Sequence, residues 1–201
     1  MNKAIQEFED RYNEFNLKSI NLKKRHTNLS WARVITFLIA ILLFVSFANN
    51  KISEGLVVTS VVFLIVFILL LKKHISVKRE KEFQEELANI NAEEIKRSKG
   101  DLSDFDKGEE FINPIHSYHN DLDVFGKNSL FQLLNRTSTR QGRSMFSQWL
   151  SKPEGKELIQ NRNAAVTDLG PKIDWRQNFE AYGRTFNDEK DGVQDLLDWL
   201  K

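Results

Sequence analysis

Four residues in one short stretch have the chemistry of metal ligands. His116, His119, Asp121 and Asp123 each offer a nitrogen or oxygen donor, and the two histidines stand three positions apart. Divalent-ion sites are assembled from such donors, but in two compact halves. This stretch supplies one half, in a segment that reads as a loop, so a solvated loop is the default and a metal site the alternative. The carboxylate pairs Glu93-Glu94 and Glu109-Glu110 are sequence neighbours in charged stretches, a pattern of solvated surface rather than acid–base catalysis. No serine or threonine stands with a histidine in a known nucleophile arrangement. None of the nine glycines begins a GxxxxGK(S/T) or GxGxxG loop that would cradle phosphate. Arg136, Arg140 and Arg143 form the one basic grouping of the polar part; on a helix they would share a face open to nucleic-acid phosphates. Without aromatics interleaved on that face, surface charge or internal ion pairs are the simpler reading. The absence of cysteine excludes disulfides, thiolate zinc sites and cysteine nucleophiles.

The elements that would position any such site are dominated by two apolar runs, Trp31 to Ala48 and Gly55 to Leu71, joined by the polar loop 49–54. Arg33 is the one charge in the first run, and the second has none. A bilayer core of about 30 Å takes roughly 17–25 helical residues, and both runs fall near that length. Residues 56–71 leave only Thr59 and Ser60 for the polar face that a helix of a soluble bundle would need. Roughly thirty polar residues ahead of the first run fit a signal peptide poorly. The expectation is a transmembrane helical hairpin over 31–71. Lys23, Lys24, Arg25 and His26 precede it; Lys72, Lys73, His74, Lys78 and Arg79 follow; the loop holds only Lys51 beside Glu54. Basic flanks stay on the cytoplasmic side, so both termini are expected there, with Trp31 as an interfacial anchor.

Overall charge is balanced, 29 basic against 28 acidic residues for a net +1, so bulk charge points to no nucleic-acid or acidic partner. Residues 1–30 read as an amphipathic helix with a thin seam of Ile5, Phe8, Tyr12, Phe15 and Leu22, Ser19 filling the gap. Residues 72–98 read as a charged juxtamembrane helix carrying Phe83, Leu87 and Ile90 at helical spacing. These two helices are placed to pair antiparallel as a stalk; two separate solvated helices fit the same pattern. Turn signals at Lys99-Gly100, Asp106-Lys107-Gly108 and Asn113-Pro114 mark 99–120 as a linker.

Residues 121–126 alternate polar and apolar and end on glycine, which predicts a short strand or extended entry segment. Thereafter the chain reads as helices. One is capped by Ser129 with Gln132; the next is capped by Thr139 and stopped by Pro153; a third runs over 154–169. A fourth presents Trp175, Phe179, Tyr182 and Phe186, and a last one Val193, Leu196, Leu197 and Leu200. That last helix reaches Lys201 with an apolar face and no C-cap, as a helix that continues would. The expected fold is mainly α: a transmembrane helical hairpin, then a cytoplasmic α-helical domain over 121–201, with at most a short strand near 121–126.

Asp121-Leu122-Asp123-Val124-Phe125-Gly126, then Asn128-Ser129-Leu130-Phe131-Gln132-Leu133-Leu134-Asn135-Arg136-Thr137, then Thr139, Gly142, Trp149-Leu150 and Pro153 form a connected pattern. It resembles the opening of the helical core, or lever, domain of the MutS mismatch-repair family. There a leucine–acid–leucine segment precedes a serine–leucine helix, an arginine–threonine turn, a glycine and a tryptophan–leucine–x–x–proline helix end. Ile159, Asn161-Arg162-Asn163 and Val166 are similar to the family's next segment, with Asn163 where glutamine is common. With a two-helix anchor, the chain is most similar to the membrane-anchored MutS-like proteins of bacteria, which implies the bacterial inner membrane. Physically the pattern reads as structure: Gly142 permits close packing, Thr137 and Thr139 cap, Trp149 fills a core and Pro153 terminates.

The resemblance implies no catalytic, cofactor-binding or metal residue in this chain. The family's ATPase domain, with ATP, Mg and the homodimer contact, would lie beyond Lys201, and DNA would be met through that longer protein. The family's mismatch-reading end has no counterpart here; the hairpin stands in its place. Two functions are expected as alternatives. One is the anchor and lever module of a MutS-like ATPase, with the lipid bilayer as partner. The other is a membrane-anchored helical scaffold without ATPase or DNA-binding activity.

Overall fold

The computed structural model describes residues 3–50, 54–185 and 199–200, and among them it contains helices and turns but no strand. Two long helices come first, α1 (Lys3–Asn50) and α2 (Glu54–Ser98). A single 3-10 turn at Glu109–Phe111 is followed by α3 (Leu130–Leu134), α4 (Arg140–Ser151), α5 (Lys156–Leu169) and α6 (Ile173–Thr185). The chain divides into two compact units, one of Asn13–Glu85 and one of Met1–Tyr12 with Glu86–Lys201.

The unit Asn13–Glu85 is a helical hairpin. Its two helices run antiparallel, with His26 against His74 and Phe37 against Phe67, ring centroids 4.1 and 5.4 Å apart. Of the two readings for the polar flanks, the paired stalk is therefore the one present here. Both α1 and α2 are long and apolar enough to cross a membrane. None of the most apolar window of α1 is buried, and almost none of that of α2. Leu42, Phe44, Val58 and Leu69 are exposed, and large apolar side chains exposed together mark a membrane or partner contact. The Thr36 hydroxyl donates to the Ala32 carbonyl at 2.7 Å, so it too is satisfied within the helix.

The other unit is built on an aromatic cluster. Val124, Phe125 and Phe131 are buried, and Phe111, Tyr118, Phe146 and Leu150 pack against them. The Phe131 ring lies 5.5–5.7 Å from those of Phe111, Phe125 and Phe146, the spacing of offset aromatic pairs. Leu87 and Ile90, predicted on the α2 seam, are buried here. The residues 99–120, expected as a linker, are irregular as their turn signals require, yet they supply Phe111 and Tyr118 to this core. Those aromatics follow no period, so only the folded chain brings them together.

Local rules operate where they were expected. Ser129 Oγ accepts from the Gln132 amide at 3.2 Å and caps α3. Gln132 completes the box one residue early: its Oε1 accepts from the Asn128 amide at 2.8 Å, and its Nε2 donates to the Leu102 and Phe105 carbonyls. Thr139 caps α4 through the Gly142 amide at 3.1 Å, and α4 ends at Ser151, just before Pro153.

Three expectations are corrected. Residues 121–126 are not a strand: Asp123 adopts a left-handed φ of 46°, and the backbone bonds go to turns. Val124 N donates to His119 O, Gly126 N to Lys107 O, and the Asp123 and Val124 carbonyls receive the first amides of α3. With no neighbouring strand, alternation alone has nothing to pair with. Thr137 is not a helix cap; its amide and hydroxyl both donate to Asn135 Oδ1, closing an Asx turn. Trp149 does not fill the core: it is half-exposed on α4, with the Arg162 guanidinium of α5 lying 4.1 Å over its ring. The expected last helix with Val193, Leu196 and Leu197, like Phe186, lies outside the described residues.

Candidate functional site

The motif turn and α6 together line a groove of about 590 Å³. Arg136, Thr137, Thr139 and Gly142 form one wall; Trp175, Phe179, Tyr182 and Gly183 form the other. Arg136 holds the turn in place: its Nε and terminal nitrogen reach both Glu94 oxygens of α2 at 2.9 and 3.0 Å, a bidentate pair. Gly142 sits against Thr139 and Thr137 of its own turn rather than against another helix.

The orientation of α6 is the surprise of this site. Its aromatic stripe faces out, with Trp175 and Phe179 stacked at 5.3 Å and Tyr182 exposed beyond them. The buried face carries Gln177 and Ala181. Gln177 and the fully buried Asn91 of α2 exchange amide hydrogen bonds at 2.8 and 3.1 Å. Arg11 of α1 donates to Gln177 Oε1 at 2.9 Å and to Asp174 at 2.6 Å. Arg184 reaches both Glu93 oxygens at 2.7 Å and Glu180 at 2.7 Å. A buried polar face of this kind is stable because each group finds a partner.

The arginine trio is not a single face. Arg136 precedes α4, so only Arg140 and Arg143 are on that helix. Arg143 grips Asp106 through two bonds, pairs with Glu110 and lies 4.8 Å over the Phe111 ring. The hydrogen bond from Arg143 holds the Asp106 carboxyl below the usual carboxylate range, against a smaller opposing push from burial. Glu93 and Glu94, read as solvated, are instead half-buried partners of Arg184, Arg136 and Arg97. Arg97 is a local partner at helical spacing, whereas Arg136 and Arg184 come from 42 and 91 positions away, which no local pattern records.

His116 and His119 come together, but as a stack, ring centroids 3.6 Å apart and 16° from parallel. Stacked rings meet face to face, with their in-plane lone pairs directed away from a shared point. The His116 Nε2–H donates to the Ser151 carbonyl at 2.9 Å, and the Tyr118 hydroxyl to Leu150 O at 3.0 Å. Both tie this segment to the end of α4. Asp121 and Asp123 are exposed, and among the described residues no group of three or more such donors is placed to hold an ion.

His119 is buried, and neither ring nitrogen has a hydrogen-bond partner. Burial, and then the neighbouring His116, push its pKa below the ordinary value. The folded form therefore keeps His119 neutral, while the unfolded chain takes up a proton near pH 6.5. The stability this contributes is intact above about pH 6.5 and is lost as pH falls through the lower folded value. Melting followed from pH 7.5 to 5.5 is expected to fall more steeply for the native chain than for His119→Leu; parallel slopes would refute the assignment.

Leu150 packs against the core, whereas Leu122 and Leu130 are exposed. Asn91, Gln177 and Tyr118 were not singled out from the sequence. A signal for the first did exist, since Asn91 follows Leu87 by one helical turn and so shares its buried seam. No protein-family model, curated protein or solved structure matches the chain.

Proposed function

We propose that this chain is the membrane-anchored N-terminal part of a MutS-like ATPase of the DNA mismatch repair family, acting as anchor and lever module. The observation that carries the lever part is the exposed Trp175–Phe179 pair of α6 beside the motif turn. A helix satisfied on its polar side, with Trp175 and Phe179 exposed on the other, suits a domain that receives further helices of a larger lever. The outward apolar surface of α1 and α2 supports the anchor, and the basic flanks support cytoplasmic termini at a bacterial inner membrane. ATP, Mg, DNA and homodimer contacts belong to the longer protein in this reading, and the purified 201-residue chain is expected to hydrolyse no ATP. A phosphate-binding loop in the reading frame after Lys201 would support the assignment, and a stop codon there would refute it.

The second reading, a membrane-anchored scaffold without ATPase or DNA-binding activity, is favoured by one observation: Arg136 and Arg143 are committed to carboxylates. Fluorescence anisotropy of the product of the whole reading frame with duplex DNA separates the two, because a phosphate-contacting surface gives an affinity that falls steeply with salt. The membrane topology has its own test, since a chain without cysteine accepts single reporters. In intact cells Asn49→Cys is expected to react with an impermeant maleimide and Ser98→Cys to stay unlabelled. The reverse pattern would invert the orientation, and labelling of both would remove the anchor.

A further inference from the structure

We propose that a groove at the polar end of the hairpin binds the phosphate-bearing headgroup of an anionic phospholipid, an inference that rests on the membrane reading above. The groove measures about 420 Å³ and lies between α1 and α2, entirely within the hairpin unit. Half-buried Leu29, Ala32 and Val77 line it together with exposed Arg25, Asn28 and Lys73. The spacing builds it: Arg25, Asn28, Leu29 and Ala32 share one face of α1, and Lys73 and Val77 are one turn apart on α2. Trp31, where an interfacial anchor belongs, is the neighbour of Ala32. The groove therefore falls at headgroup depth.

Its charge is uncompensated. No aspartate or glutamate occurs between Glu14 and Glu54, or between Glu54 and Glu80. Lys18 and Lys78 pair with Glu14 and Glu82 at 2.6 and 3.6 Å, while Arg25 and Lys73 have no carboxylate partner among the described residues. His74, tilted against His26 beside the groove, is held below its ordinary pKa by burial first and then by repulsion from the basic groups around it. A guanidinium, an ammonium and an amide donor above three apolar side chains complement a phosphodiester and the start of its acyl chains. A free phosphate would match the cations and leave the apolar floor unused.

The test is native mass spectrometry of the full chain released from micelles holding equal phosphatidylglycerol and phosphatidylcholine. The native chain is expected to retain phosphatidylglycerol preferentially. Arg25→Gln with Lys73→Gln should lower that retention by about thirtyfold, since each basic side chain at an anionic surface is worth about fivefold. Lys24→Gln with Arg79→Gln removes the same charge outside the groove and should lower retention several-fold less than the groove variant, because it takes away diffuse attraction alone. Equal losses in the two double variants would replace the site by diffuse attraction and overturn the proposal, as would equal retention of both lipids. Displacement of the lipid by an equal concentration of glycerol 3-phosphate would make the occupant a free phosphate ester. Circular dichroism checks that both variants stay helical, and alkaline carbonate extraction separates the two levels of failure. A native chain found in the soluble fraction removes the membrane reading itself; one held in the membrane without lipid preference removes the groove alone.

Discussion

Replacing Phe131 with alanine is expected to destabilise the helical domain by about 3–5 kcal/mol, the range for emptying a fully buried aromatic site. Phe131 has no exposed surface and touches the rings of Phe111, Phe125 and Phe146. Its removal opens a cavity at the one point where residues from four separate stretches meet. Against a total stability of about 5–15 kcal/mol, that loss is large. The same place can be attacked from the other side. Gly108 is buried at a left-handed φ of 63°, and a Cβ there would come within 2.9–3.1 Å of the Phe131 and Phe125 rings. Gly108→Ala therefore combines backbone strain with overpacking, and should cost about 2–4 kcal/mol. The control is Phe179→Ala, whose ring is 67% exposed and whose loss should cost under about 0.5 kcal/mol. Urea unfolding in detergent, followed by near-ultraviolet circular dichroism, measures all three. Equal costs for Phe131 and Phe179 would show that the aromatic stripe of α6, and not the 111–131 cluster, is the core.

Replacing Arg184 with methionine is expected to cost about 2–4 kcal/mol at pH 7. Removing one member of a buried ion pair costs about 3–5 kcal/mol, and the partial exposure of this one lowers the figure. Burial acts to lower the Arg184 pKa, but the hydrogen bond to Glu93 and the charges of Glu180 and Glu93 outweigh it and raise it. Glu180 is itself raised, chiefly by burial, with Arg184 opposing. Without Arg184 that opposition is gone, and the carboxyl rises further. A carboxylate with a raised folded pKa contributes stability that is present below its unfolded value near 4.3 and is lost as pH rises through the folded value. The gap between Arg184→Met and the native chain should therefore narrow towards acid pH, and Glu180→Gln added to Arg184→Met should recover part of the loss. A gap that does not change with pH would mean that the side chain acts through packing alone.

Phe179 and Arg184 also mark where local reasoning stops. The stripe Trp175–Phe179–Tyr182 has the spacing of one helix face, but spacing alone does not say whether that face meets the core. The tertiary fold turns α6 over, because Gln177 meets Asn91 and Arg184 meets Glu93, partners 86 and 91 positions away in the chain. Those polar contacts and the ion-pair network set which side of α6 is buried, and Trp175 and Phe179 are left exposed. The Ser129 and Thr139 caps, by contrast, involve groups three residues apart and were legible at once. The segment 121–126 failed for the complementary reason: alternation predicts which side chains point together, and a strand needs a second strand that is not there.

The sequence by itself determined the two long apolar helices, the basic flanks and the existence of the short helices, because hydropathy, charge and capping act within a few turns of chain. It also determined that no phosphate-binding loop or cysteine chemistry is present. Only the tertiary structure decided that Phe111, Tyr118, Val124, Phe125 and Phe131 are one core, that Glu93 and Glu94 pair with Arg184 and Arg136, that the histidines stack and that α6 shows its aromatic face. Each of these, apart from the stack of His116 on His119, depends on which distant groups are brought within van der Waals or hydrogen-bond distance, which no local pattern of the chain encodes.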